Sequence, residues 1–203
     1  MLAFANKLLN HKLTIWLLLF LPAPPLLADL YYDNRYYAEI MYETGVLATQ
    51  LIVVALAITP LMRLFRLTPS VLTPLRWMQK RRRYIGVAAF GYAALHTIFY
   101  IREIGSAELI WLELEEISLA IGWIAMIILV ALAATSNDWS VRKFGKGWKK
   151  LQATAYLAVA FTALHWWFIG QFLDKLWLWM APLLLLQAAR IAQGLVLRRN
   201  GNT

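Results

Sequence analysis

Long runs of apolar residues constrain this chain more than any other feature. Six stretches of about 18 to 25 residues carry few charges, and each is long enough to cross a bilayer as an α-helix. They lie at about residues 13–30, 46–65, 84–102, 116–135, 151–171 and 176–196. We therefore expect residues 1–203 to form a single all-α domain, a polytopic membrane helix bundle with six transmembrane helices.

The distribution of cations predicts which side of the membrane each connection faces. The net charge is +9, and most Lys and Arg residues lie within residues 7–12, 63–83, 142–150 and 198–199. Six crossings put these four segments on one side, which the positive-inside rule identifies as the cytoplasm. We expect a multi-pass protein of the bacterial inner membrane with both termini cytoplasmic. The positive charge then follows topology and does not indicate a nucleic-acid partner.

Carboxylates predominate on the predicted outer side, with ten of them against three cations. The carboxylates are Asp29, Asp33, Glu39, Glu43, Glu103, Glu108, Glu113, Glu115, Glu116 and Asp174, and the cations are Arg35, Arg102 and Lys175. We expect an acidic outer surface on which a partner docks. The alternative is that Lys and Arg are simply excluded from outer loops during insertion.

The first apolar run permits two interpretations. Residues 13–20 follow two lysines and resemble the hydrophobic region of a secretory signal. Residues 26–28 lack the small residue expected three positions before a cleavage site, which favours a retained helix. Pro22, Pro24 and Pro25 are expected to break the outer end of that helix.

Two histidines inside predicted helices are the clearest candidates for chemistry. The chain has no cysteine, which excludes thiolate-bound iron–sulfur clusters and covalently attached c-type haem. His96 lies 13 residues after Arg83 and His165 lies 15 after Lys150, so both are about 20 to 22 Å from the cytoplasmic edge. Two imidazoles at one depth can clamp a haem iron. The alternative, that each histidine only bonds a neighbouring helix, leaves their matched depth unexplained.

Four further residues have candidate roles. Arg102 lies six residues beyond His96, about 9 Å further out, where it can pair with haem propionates or reach the interface as a snorkelling side chain. Gly86 and Gly91 are expected to admit a closely packed helix or macrocycle. Arg190 can face a carboxylate, a flavin phosphate or the inner headgroups.

Several short motifs also occur in the order and spacing of a known family. They are Thr44-Gly45, Ile58-Thr59-Pro60-Leu61, Arg82-Arg83-Tyr84-Ile85-Gly86, Ala94-Leu95-His96, Gly145-Lys146-Gly147-Trp148-Lys149-Lys150-Leu151 and Ala163-Leu164-His165. Over about residues 44–170 the chain resembles the MsrQ (YedZ) family of haem-binding membrane subunits, within the ferric-reductase-like transmembrane group.

The resemblance implies a six-helix haem b protein that takes electrons from the quinone pool or a cytoplasmic flavin reductase. It would deliver them to a periplasmic molybdopterin subunit of the MsrP type, which reduces methionine sulfoxide in oxidised proteins. FMN is also associated with the family. Because Gln152 stands where the family usually has a further histidine, we expect one haem, held by His96 and His165. This departure leaves a stand-alone ferric-reductase-like quinol oxidoreductase with another outer acceptor as the alternative.

Overall fold

A computed structural model of the protein describes residues 11–31, 36–66 and 68–200, which contain helices and turns and no strand. Asp33 and Arg35 of the predicted outer surface lie outside these ranges. The helices are α1 (Lys12–Phe20), α2 (Ala23–Tyr31), α3 (Tyr37–Leu64), α4 (Pro69–Ile104), α5 (Ala107–Glu113), α6 (Ile117–Ala134), α7 (Asp138–Phe144), α8 (Lys146–Ala153), α9 (Ala155–Ile169) and α10 (Leu173–Asn200). The prediction of an all-α protein is confirmed.

Fewer than six of the described helices are long and apolar enough to cross a membrane on their own, so the predicted count of six spans is not confirmed. Within the described ranges, α3, α4, α6 and α10 are each long and apolar enough to cross a membrane. The bent pair α1 and α2 raises the number to five if it forms one span. The first and fifth predicted segments account for the difference.

The first predicted segment is broken at residues 21 and 22, and its two parts are bent by 43°. Pro24 and Pro25 occupy the first turn of α2, where the missing N–H groups leave no intrahelical bond unmade. The proline-broken end predicted for this segment is therefore present.

The fifth predicted segment is divided at Thr154, which separates α8 from α9. With 15 residues, α9 is about 22 Å long, shorter than the hydrocarbon core of about 30 Å. It ends at Gly170, whose φ of 75° is the left-handed conformation that commonly terminates helices. An apolar run of full length thus contains a helix too short to span alone.

The longest helix, α4, begins well before the third predicted segment. Its 36 residues extend about 54 Å, so about two fifths of it projects beyond an apolar core of about 30 Å. Pro69 occupies its first turn, where proline is compatible with a helix. The basic stretch up to residue 83 is therefore mostly helical, and the cations lie on this projecting part.

Two antiparallel helix pairs, α3 with α4 and α6 with α9, form the frame of the bundle, and α10 packs against α3. One apolar cluster joins these five helices. Its most buried members from α3, α4, α6, α9 and α10 are Leu56, Ala89, Leu132, Ala158 and Leu176. Because both pairs contribute to one cluster, they belong to a single bundle.

Three of the basic segments meet at one end of this bundle. Arg83 on α4 forms an ion pair with Asp138 at the start of α7, and the charge of Lys12 at the start of α1 also acts on Asp138. Nearby, Trp148 on α8 donates its indole N–H to the carbonyl of Thr135. The segments predicted to share a side of the membrane are therefore neighbours.

The two glycines predicted to admit a close neighbour behave differently. A Cβ atom on Gly91 would lie 3.2 Å from the ring of Phe20 on α1, so this glycine does permit close approach. A Cβ on Gly86 would meet no atom of the described residues outside its own helix backbone within 4 Å. Close packing therefore explains Gly91 and does not explain Gly86.

Candidate functional site

A cavity of about 340 Å³ lies among α3, α4, α6 and α9, and both His96 and His165 line it. Most of the surrounding side chains are apolar and come from all four helices. They include Val46, Ile52, Ala93, Leu119, Met126 and Ile169. The cavity therefore offers an apolar space with two imidazoles.

His96 is fixed by the facing helix α3. Its Nδ1 lies 2.8 Å from the carbonyl oxygen of Met41, and because a carbonyl only accepts, Nδ1 carries the proton and donates. A Cβ atom on Gly45 would lie 2.8 Å from the same Nδ1, closer than real Cβ contacts allow. The imidazole thus occupies the space that any larger residue at position 45 would need.

His165 is held in the same way by α6. Its Nδ1 donates to the carbonyl oxygen of Ser118 at 2.7 Å, and a Cβ on Gly122 would again lie 2.8 Å from Nδ1. In both cases the accepting carbonyl lies four residues before the glycine. We call each combination of carbonyl, glycine and histidine an imidazole seat. The structure contains two seats, one in each helix pair.

The geometry of the two rings fits a single metal ion between them. Their centroids are 6.3 Å apart and their planes are inclined by 85°. Metal–imidazole bonds of about 2.0 Å, together with the size of the rings, place two imidazoles on opposite sides of one ion roughly 6 Å apart. Because each Nδ1 donates to a carbonyl, each Nε2 retains the lone pair that a metal needs.

The donor set favours a metal that brings its own equatorial ligands. Among the described residues there is no group of three or more His, Asp or Glu side chains that could hold a bare ion. Haem iron takes one or two ligands from the protein, and the macrocycle needs an apolar space. The two histidines and the cavity satisfy these requirements.

The other residues singled out from the sequence lie away from the cavity. Arg102 is exposed in the last turn of α4, where a cation favours the helix dipole, and it does not line the cavity. Arg190 donates to the hydroxyl of Tyr156 at 2.9 Å. Gln152 donates to the Thr135 hydroxyl at 3.3 Å, at the C-terminal end of α6. The structure therefore brings together the two histidines and leaves these three residues elsewhere.

Several residues of the site were not predicted. Gly45 belongs to a quoted motif, but neither its role nor that of Gly122 was recognised. The available signal was a glycine near the start of α3 and of α6, with a histidine near the end of the helix that packs antiparallel to each of them. Tyr42 and Tyr100 also line the cavity and were missed. Nothing in the spacing indicated which aromatic residues face it.

Comparison with known proteins also identifies membrane and heme-binding proteins as similar to this chain. The family described as ferric reductase like transmembrane component matches residues 44–163. The chain is similar to the protein-methionine-sulfoxide reductase heme-binding subunit MsrQ of Brucella ovis and to that of Brucella canis. Each is 32% identical over 124 residues, which are 60% of this chain and 52% of the relative. The chain therefore covers about half the length of these relatives, and no solved structure matches it.

The resemblance to MsrQ predicted from the motifs is confirmed by these relatives. The family match extends over more than half of the chain and includes His96 and Gly45 as well as Gly122. The chain belongs to the ferric-reductase-like transmembrane family.

Proposed function

We propose that this protein is a membrane electron-transfer subunit in which His96 and His165 bind one haem b. The observation that carries the proposal is the pair of imidazole seats, which face one cavity with ring centroids 6.3 Å apart. The MsrQ relatives are named as heme-binding subunits, which supports the same cofactor.

The protein's own residues would hold the cofactor and tune it. A haem held by both histidines would exchange one electron at a time and would leave no position on the iron open to a substrate. The carbonyls of Met41 and Ser118 fix the orientation of each ring and increase the basicity of its Nε2. The apolar lining limits the access of water to the cavity, and this would also influence the redox potential of the haem. This arrangement suits electron transfer better than catalysis on a bound substrate.

We propose a single domain in the bacterial inner membrane with six crossings and both termini cytoplasmic. The broken pair α1 and α2 and the broken pair α8 and α9 would each make one crossing. The meeting of three basic segments at one end of the bundle supports this orientation. Reporter fusions at Gly105 and Asp174 test it, because both positions should read as periplasmic. A cytoplasmic reading at either position would reverse the proposed direction of electron flow.

The proposed electron donor is the quinone pool or a cytoplasmic flavin reductase, with FMN as a further cofactor to be tested. The proposed acceptor is a periplasmic molybdopterin methionine sulfoxide reductase of the MsrP type, which the name of the relatives supports. The presence of Gln152 at a position where the family usually has histidine favours the second candidate, a stand-alone ferric-reductase-like quinol oxidoreductase. The two candidates are separated by mixing the reduced protein with the molybdoenzyme and methionine sulfoxide. Reoxidation supports the first candidate, and no reoxidation supports the second.

An optical spectrum of the purified protein tests haem binding directly. We expect one low-spin b-type haem per chain, and we expect His165→Ala to lose the low-spin signal. Gln152→Ala is the matched control and should keep full haem content. The Gln152 side-chain amide donates hydrogen bonds to α6 at a place away from the cavity. A complete low-spin spectrum in His165→Ala would refute the assigned ligand pair.

A further inference from the structure

We infer that Tyr42 and Lys175 bind the carboxylates of the haem at the turn between α9 and α10. The inference rests on the proposed function, because it concerns how the same cofactor is oriented. It assigns the polar end of the cavity to residues other than Arg102.

The first observation is an unpaired hydroxyl. Among cavity-lining side chains of the described residues, the Tyr42 hydroxyl is the one buried polar atom without a hydrogen-bond partner. The neighbouring hydroxyl of Tyr100 donates to Glu113 at 2.6 Å. The three lining threonines donate to carbonyls four residues earlier, and they are Thr49, Thr97 and Thr162. Tyr42 therefore carries the lining hydroxyl for which the described residues supply no partner.

A buried hydroxyl without a partner is unfavourable, so a partner from the ligand is expected. A tyrosine hydroxyl donates to acceptors, and a carboxylate is the strongest acceptor that a haem carries at its edge. Such a bond has an ionised acceptor and is stronger than one between neutral groups. The chemistry of Tyr42 thus selects the carboxylate edge of the macrocycle.

The second observation is a cation beside the same residue. Lys175 is exposed in the first turn of α10, and its Nζ lies 5.3 Å from the centre of the Tyr42 ring. The same nitrogen is 5.1 Å from the ring of Phe172. A carboxylate that accepts from Tyr42 would therefore lie near a positive charge at the boundary with water.

The turn that carries these groups is held in an uncommon conformation. Phe172 has a φ of 53°. Among the described residues, it is the one residue other than glycine with a positive φ. Its ring lies 4.6 Å from that of Tyr42, and the indole N–H of Trp166 donates to the carbonyl of Gln171 at 2.9 Å. Such a conformation persists only where its surroundings enforce it, and it is typical of functional sites. Here it keeps Phe172 and Lys175 against Tyr42.

Haem release from the full-length protein tests the inference. The haem-loaded protein is mixed with excess apomyoglobin, and the transfer of haem is followed optically. We expect Tyr42→Phe to release haem about tenfold faster, because it loses a hydrogen bond to a charged group but retains the ring. Lys175→Met should release it about threefold faster, since its charge is exposed. Both variants should keep the low-spin spectrum, because the iron ligands are intact.

Arg102→Met is the matched control, since it removes an exposed cation at the same end of the bundle that does not line the cavity. It should release haem at the wild-type rate. A faster release from Arg102→Met with no change in Tyr42→Phe and Lys175→Met would overturn the inference and assign the carboxylates to Arg102.

Haem dimethyl ester distinguishes a lost hydrogen bond from altered packing. Its carboxylates are converted to neutral esters, whose carbonyls accept more weakly, so the roughly tenfold difference between Tyr42→Phe and wild type should become much smaller with the ester. An equal acceleration with haem and with its ester would overturn the inference while leaving the proposed function intact. A wild-type protein that binds no haem at all would overturn both.

Discussion

The two helix pairs that carry the histidines are alike at the imidazole and different around it. In the α3–α4 pair, the Met41 carbonyl accepts from His96 and also from the hydroxyl of Thr44, which is fully buried. In the most apolar stretch of α3, 39% of residues are buried, against 17% in α6. The α6–α9 pair nevertheless positions His165 in the same way. A carbonyl and a glycine on the facing helix therefore suffice to orient the ring, without equal packing around it.

Removing each ligand in turn tests this difference and should produce the largest effects. Both His96→Ala and His165→Ala should lose the low-spin signal entirely. We expect His165→Ala to retain more five-coordinate haem, because His96 belongs to the more deeply buried pair. Haem-to-protein ratios and spin state measure this. Greater retention in His96→Ala would show that burial does not decide which half holds the cofactor.

Filling the glycines tests whether the two imidazole seats are equivalent. In Gly45→Ala and in Gly122→Ala the new Cβ would lie 2.8 Å from the Nδ1 of the facing histidine, so the ring must move. We expect a cost of about 1 to 3 kcal/mol in each variant, with the larger loss of haem at Gly45 because its surroundings can yield less. Haem content and thermal unfolding measure the effect.

The control for this pair is Gly86→Ala, where the added Cβ meets no atom of the described residues outside its own helix backbone within 4 Å. It should keep full haem content and unfold at an equal or slightly higher temperature, because alanine favours a helix more than glycine does. Equal losses in all three variants would mean that helix propensity, and not the imidazole seat, is being measured.

The carboxylates on the predicted outer side provide a third test, for which the residues must be chosen so that the cavity is not disturbed. Glu113 accepts from the cavity-lining Tyr100, so its neutralisation would disturb the site itself. Glu115 and Glu116 are exposed, and their joint replacement by Gln should slow electron delivery to the proposed periplasmic acceptor a few-fold at low salt. The difference should fade as salt approaches 0.1 M, where the Debye length is about 10 Å. Unchanged delivery would indicate that the acidity reflects topology alone.

The smallest effect is expected at the ion pair between Arg83 on α4 and Asp138 on α7. The hydrogen bond from Arg83 and its charge lower the pKa of Asp138 from the ordinary value of 3.8. Because the folded pKa is the lower one, the stabilising contribution is present above about pH 4 and is lost as the pH falls through the folded pKa. Asp138→Asn should unfold slightly earlier at pH 7 and match wild type at the lowest pH. Unfolding temperatures of both proteins, measured across pH, test this. If the difference between Asp138→Asn and wild type does not change with pH, the ion pair is not the source of that difference.

The sequence was sufficient for the helical class and for the matched depth of His96 and His165, because both follow from apolar run length and a fixed helical rise. The division at Thr154 was not predictable from it. The apolar run there is continuous, and no proline or glycine marks the break in residues 151–169. Hydropathy indicates how many consecutive residues can lie in the apolar part of the bilayer. It does not indicate where the backbone hydrogen bonds of the helix are interrupted.

The same limit explains the site residues that were missed. A glycine in an apolar helix shows only that a side chain is absent, and the residue that fills the space comes from another helix. Gly86 and Gly122 look alike in the sequence, yet only Gly122 faces an imidazole. Arg102 has a suitable distance from His96 along the chain but lies off the cavity. Which residues face the cavity therefore had to be determined from the packed structure.

The placement of one imidazole seat in each helix pair has a consequence for biogenesis. An iron that bonded both rings would link the two helix pairs, so its binding would strengthen the lateral packing that the shared apolar cluster already provides. Without it, the α6–α9 pair, with its short final helix, would separate from α3 and α4 more readily and become exposed to lipid and to membrane proteases. We therefore expect the cellular abundance of this protein to follow haem supply, with α9 as the first segment to be degraded when haem is scarce.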